Sequence, residues 1–256
     1  MPGIHGGDEV SRKEGGQGDA PPRMAAIDRL RALVGARGRV GIVPASPSRA
    51  VEIPSVLHGH LSTGIAGLDA WLHGWPQLAP IELVGAPGGG RLALVIPLLE
   101  RLTQAGRAVV LVDPLHQIHP PGLGRIDPAR LVLVRPPGER AGWAAEQVAR
   151  SGAVDALVVI DAPAFGRAGV RFARAAEAGG MAVFVLADRT DAELPAALRI
   201  EAVGWEGDRV RVRCTRSRDG RIVGERWITP SEAPPDTASI PVVRSERGHR
   251  RHVGVG

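Results

Sequence analysis

The stretch Ile81-Glu-Leu-Val-Gly85-Ala-Pro-Gly-Gly-Gly90-Arg91-Leu92 decides how this chain is read. A short β-type run ends in a glycine-rich loop, and an apolar helical pattern follows over Leu92–Gln104. The spacing is that of the phosphate loop G-x-x-x-x-G-K-[ST], in which backbone N–H groups at a helix start cradle phosphate. Gly85 and Gly90 hold the two glycine positions, but Arg91 stands at the lysine and Leu92 at the hydroxyl that would hold Mg²⁺. A planar guanidinium fork is not an ammonium point charge, and leucine has no oxygen to offer. Pro97, inside the predicted helix, predicts a kinked axis. Two readings stand here: a tight glycine turn joining strand to helix, or a degenerate nucleotide site with weak ATP binding.

Outward from the loop, β-type and helical patterns alternate. Ala108–Val112, Leu131–Val134, Ala156–Ile160 and Ala182–Leu186 are short, nearly all-apolar runs that suit strands buried on both faces of a parallel sheet. Ala141–Ser151 and Ala168–Ala178 read as helices between them, so the fold class is α/β, a mainly parallel sheet flanked by helices. Strands at Arg199–Trp205, Arg209–Thr215 and Ile222–Ile228, with a turn at Asp219-Gly220, predict an antiparallel edge hairpin. Leu157-Val-Val-Ile-Asp161 has the form of a Walker B strand, apolar residues ending in a carboxylate that can reach a metal shell.

Composition narrows the function classes. A single cysteine, Cys214, excludes an internal disulfide and any multi-cysteine zinc site. His116 and His119 lie three apart, but beyond Asp113 no carboxylate or thiol completes a metal site, so no metal is expected. Five Trp, three Phe and no Tyr disfavour a base-stacking platform. The formal net charge is +5, and Lys13 is the only lysine, so the basic character is nearly all arginine. That balance permits nucleic-acid contact without establishing it. No apolar run has membrane-spanning length, and a cytoplasmic protein is expected.

Five segments are predicted. Residues 1–22 read as a disordered leader and residues 23–38 as an amphipathic helix arm with Ile27, Leu30, Leu33 and Val34 on its apolar side. Residues 39–55 form a linker, 56–229 the α/β core, and 230–256 a flexible basic tail. In the core, Arg209, Arg211 and Arg213 alternate with Val210 and Val212 and so share one strand face. They read either as the solvated guard of an edge strand or as a surface for DNA or an acidic partner. Cys214 reads as a half-buried spectator, and Trp71, Trp75 and Trp143 as core or interface anchors.

The chain resembles the RecA-like family. Ser62-Thr-Gly-Ile-Ala-Gly-Leu-Asp-Ala-Trp-Leu72 is similar to the stretch before that family's phosphate loop, and Arg150-Ser-Gly-Ala-Val-Asp-Ala-Leu-Val-Val-Ile-Asp161 to its Walker B segment. Val112-Asp-Pro-Leu-His116 sits where the family carries its catalytic acid, but Leu115 stands in place of the glutamate. The resemblance implies a nucleotide pocket at Gly85, Gly90, Arg91 and Asp161, while Arg91, Leu92 and Leu115 imply that no ATPase activity and no catalytic residue remain. Loops that line DNA in the family are short here, and the second, Ala187–Leu194, holds Asp188, Asp191 and Glu193, three carboxylates that would repel phosphate. Direct DNA contact is therefore expected to be weak or absent.

Within the family, Leu94-Val-Ile-Pro-Leu-Leu-Glu-Arg-Leu102, Trp143-Ala-Ala-Glu-Gln-Val-Ala-Arg-Ser-Gly152 and Ala175-Ala-Glu-Ala-Gly-Gly180 resemble the ImuA group. That resemblance implies a role in SOS mutagenesis, with an ImuB-like relative of Y-family polymerases, RecA or a second copy of the chain as partner. A recombinase-type ATPase and a division inhibitor of the SulA kind are the competing classes.

Overall fold

The computed structural model describes residues 59–77 and 79–232. The leader, the arm helix with Ile27, Leu30, Leu33 and Val34, the linker, and the tail beyond residue 232 lie outside the described residues. At the start, β1 (His60–Leu61) pairs antiparallel with β2 (Trp75–Pro76), and α1 (Ala66–Leu72) fills the connection. Asp69 organises this turn, accepting from the Thr63 N–H and the Ser62 hydroxyl, both at 2.6 Å.

The main sheet uses β3 (Pro80–Val84), β4 (Val109–Val112), β5 (Leu131–Val134), β6 (Ala156–Ile160), β7 (Ala182–Ala187), β8 (Leu198–Glu206), β9 (Arg209–Ser217) and β10 (Gly224–Ile228). Their order is β10-β9-β8-β3-β7-β6-β4-β5. The six strands from β8 to β5 run parallel, and β9 and β10 add antiparallel at one edge. This is the mainly parallel, helix-flanked α/β sheet that the sequence predicts.

Alternation along each strand explains the apolar runs. Val109, Leu111, Val158 and Phe184 face a core closed by α1 and α2 (Ile96–Gln104), while Val110, Val112, Val159 and Val185 face one closed by α3 (Ala141–Ser151) and α4 (Gly169–Gly179). With both faces covered, a strand has no solvent side on which to place polar residues. Trp75 packs edge-on against Phe184 at 5.4 Å, joining the small ribbon to the central strands.

The helix after the glycine loop is shorter than its apolar pattern. It begins at Ile96, not Leu92, because residues 90–95 wind as successive turns, with the Leu94 N–H donating to Gly90 O and the Val95 N–H to Leu92 O. Pro97 consequently lies in the first helical turn, where its missing N–H would be unpaired anyway, and the predicted kink does not arise.

A charged group sits in the centre of the sheet. Glu82 of β3 is fully buried, accepts from the Asp191 N–H at 2.7 Å, and pairs with the Arg199 guanidinium. Arg199 also donates to Asp191 O, and the Asp191 carboxylate accepts from the Phe165 and Glu193 N–H groups at 2.7 and 3.0 Å. This network pins the loops after β6 and β7 to the central strand. Replacing Arg199 by Met strands the Glu82 charge. The expected loss is about 3–5 kcal/mol in urea unfolding, with faster hydrogen exchange at the Phe165 and Asp191 amides.

Candidate functional site

The loop Gly85–Gly90 lies at the carboxyl end of β3 and Asp161 at that of β6, with β7 between them. Two strand spacings amount to about 9.6 Å, a gap that only a long side chain closes. Arg91 closes it. Its Nη1 and Nη2 meet Asp161 Oδ1 and Oδ2 at 2.6 and 3.0 Å, a two-point fork between groups only 5% and 9% exposed. Asp161 holds a left-handed backbone, φ 44°, and its N–H donates to Leu186 O at 2.8 Å. The carboxylate that could enter a metal shell is thus committed to a guanidinium. Leu92, at the hydroxyl position, packs against the core formed by α1 and α2.

The glycines are needed for close approach. A Cβ on Gly85 (φ 147°) would strike Ala202 O, and one on Gly90 (φ 103°) would lie 2.8 Å from a Val210 methyl. The two neighbours belong to β8 and β9, which press down on the loop. Between Ala202 and Gly204 the β8–β9 register slips by one residue, and that bulge turns Trp205 to the side of Val210. The Trp205 indole N–H then donates to Gly88 O at 3.1 Å, laying the ring across the loop. Sequence spacing does not reveal this contact, since a one-residue bulge leaves no local mark.

Beside the loop, a cleft of 530 Å³ opens at the carboxyl ends of the strands, lined by Pro87, Leu115, Asp161, Pro163, Phe165 and Asp188 among others. Leu115 is 56% exposed and offers the cleft only apolar surface. Asp113 is fully buried and accepts from the Gln117 and Ile118 N–H groups at 2.8 and 3.0 Å, with Arg135 3.5 Å away. It shapes its own loop and does not point at His116 or His119. Among the described residues, no group of three or more His, Cys, Asp or Glu gathers where it could hold a metal.

One expectation about the neighbouring loop is corrected. Of Asp188, Asp191 and Glu193, Asp191 is turned inward onto backbone N–H groups, so two carboxylates, not three, face outward.

On the edge hairpin, Arg209, Arg211 and Arg213 do share a face, with glutamates among them. Arg213 bonds Glu225 at 3.0 Å and Glu201 at 3.4 Å, Arg211 lies 3.6 Å from Glu225, and Arg209 lies 3.6 Å from Glu206. Arg209 and Arg211 also flank the Trp227 ring at 5.4 and 5.7 Å. Arg226, the middle of β10, is exposed and lies over the Trp71 ring at 5.9 Å. Opposite charges therefore alternate across this face, which the arginine count alone conceals. Cys214 is half-buried, and burial pushes its thiol above the usual value.

No protein-family model matches the chain. It is 33% identical over 141 residues to Protein RecA of Gluconobacter oxydans (strain 621H), covering 52% of this chain and 41% of that protein. Protein RecA of Gluconacetobacter polyoxogenes is 32% identical over 141 residues, 52% of this chain and 40% of that protein. Protein RecA of Thermus aquaticus is 33% identical over 114 residues, 42% of this chain and 33% of that protein. The chain thus spans about two fifths of the length of the first two curated relatives and a third of the third. The mainly parallel sheet with helices on both faces is consistent with a RecA-like α/β fold. Over the matched stretch, the chain is similar to RecA proteins. No described helix is long and apolar enough to cross a membrane.

Two outcomes follow from this geometry. Arg91→Ala leaves the Asp161 carboxylate buried and unpaired, so it should lower stability more than the double variant Arg91→Ala, Asp161→Ala. The coupling expected from a double-mutant cycle of urea midpoints is about 1–3 kcal/mol. The raised thiol of Cys214 holds less thiolate than a free cysteine near pH 8. Its iodoacetamide reaction should be slower there than that of a model thiol, and should accelerate as the pH rises further.

Proposed function

We propose that this protein is a non-catalytic RecA-like adaptor in DNA-damage-induced translesion synthesis, whose nucleotide pocket is closed by its own side chains. The observation that carries this reading is the Arg91–Asp161 fork. In a working phosphate site, a cation faces the phosphates and a carboxylate faces the metal shell. Here the two groups neutralise each other within the protein, Leu92 supplies no hydroxyl, and Leu115 supplies no base. Magnesium and ATP do not fit this donor set.

The resemblance to the ImuA group supplies the partners of this reading. An ImuB-like polymerase relative, RecA or a second copy would be engaged through Ile27, Leu30, Leu33 and Val34, since apolar anchors at helical spacing suit helix-in-groove binding. Arg209, Arg211 and Arg213, paired as they are with glutamates, favour a charged protein surface over bare phosphate as the hairpin's partner.

The decisive measurement is a thermal shift with and without MgATP. A ligand at a hundred times its dissociation constant adds about 2.7 kcal/mol to native stability. No shift and no phosphate release above a mock purification are expected; nucleotide-dependent stabilisation with turnover overturns the reading. In pull-downs, Leu30→Asp with Leu33→Asp should abolish capture of the polymerase relative or RecA, and full retention of both would remove the arm from the interface.

A further inference from the structure

Helices α3 and α4 present an outer face that the adaptor reading does not use. Glu146 of α3 bonds Arg150 one turn further on at 2.7 Å and Arg171 of α4 at 3.3 Å, which sets the two helices side by side. Trp143, one turn before Glu146, is 46% exposed, and Val170, next to Arg171, is 47% exposed. Arg150, Arg167, Arg171 and Arg174 are exposed as well, and steps of four and three residues put the last three on one stripe of α4 and the turn before it.

The charge pattern differs from that of the edge hairpin. There, each of the three alternating arginines lies near a glutamate. In the turn before α4 and on α4, Arg167 and Arg174 have no carboxylate partner among the described residues, and Glu146 is shared by Arg150 and Arg171. Tryptophan and arginine are the side chains that most often carry interface energy, and unpaired cations around an apolar centre call for an acidic partner. Of the chain's own outer segments, the arm and the tail are net basic and do not fit that description. The predicted arm carries Arg23, Arg29, Arg31 and Arg37 against Asp28, and the tail carries Arg244, Arg247, Arg250 and Arg251 against Glu232, Asp236 and Glu246. The leader, with Asp8, Glu9, Glu14 and Asp19 against Arg12 and Lys13, is acidic. If another protein's segment is the occupant, the full chain carrying Asp8→Arg and Glu9→Arg should bind an acidic peptide no more tightly than the wild type.

We propose that the outer α3–α4 face docks an acidic segment of another protein that carries an apolar anchor. Trp143 and Val170 receive the anchor, and Arg167, Arg171 and Arg174 receive the carboxylates. This proposal goes beyond the adaptor reading and does not depend on the nucleotide pocket or on the arm.

The test is fluorescence anisotropy of the full chain with a labelled peptide of repeated Asp-Asp-Leu-Phe, against the same peptide with Arg for Asp and against poly-aspartate. The acidic, apolar peptide should bind, and each control peptide should bind at least about tenfold more weakly. Trp143→Ala and the pair Arg167→Glu, Arg174→Glu should each weaken binding by about tenfold or more. All three residues are exposed, so melting temperatures should stay at the wild-type value. The hairpin variant Arg211→Glu, Arg213→Glu should bind as the wild type does. Absent binding, binding indifferent to the α3–α4 variants, or binding lost only in the hairpin variant overturns the proposal. So does displacement by an equal concentration of oligothymidylate that needs the arginines but not Trp143, since that marks a polyanion surface instead.

Discussion

A guanidinium and a carboxylate buried together cannot be half-made. Once Arg91 and Asp161 are removed from water, each requires the other, because an unpaired charge at that depth costs several kcal/mol. Their fork fixes the distance between the loop after β3 and the end of β6. It holds Asp161 in a left-handed backbone and leaves the glycine loop as a structural bridge across the middle of the sheet. The Glu82–Arg199–Asp191 network repeats this logic one loop away. The carboxyl edge of the sheet, where ligands of open α/β folds gather, is tied down by ion pairs internal to the protein.

How much of this was legible varied with the range of the interaction. Strands β5 and β6 and helix α3 occupy the spans predicted for them, because burial on both faces leaves uninterrupted apolar runs and a helix leaves a 3.6-residue rhythm. The start of α2 was not legible, since turns at residues 90–95 carry the same apolar residues as a helix would. Glu82 was legible in principle: one carboxylate inside Ile81–Val84 demands a buried cation, though nothing local names Arg199. Both halves of the central fork were visible as motifs. Their meeting was not, because seventy residues of chain separate them and strand order is set by packing over the whole sheet.

The arginines teach the same lesson. Counted along the sequence, the hairpin looked strongly basic, yet its cations are interleaved with Glu201, Glu206 and Glu225 brought in from neighbouring positions and strands. Arg167 and Arg174, without a carboxylate partner among the described residues, lie in the turn before α4 and on α4 itself, where the sequence shows only a regular amphipathic helix. Charge becomes a surface property only after the fold decides which side chains are neighbours.

The outermost strand carries one more implication. β10 has Arg226 at its midpoint, and a second molecule adding to this edge in antiparallel fashion about that point would set two guanidiniums directly opposite each other. That repulsion disfavours lateral growth of the sheet from copy to copy, at a strand whose backbone would otherwise invite further pairing.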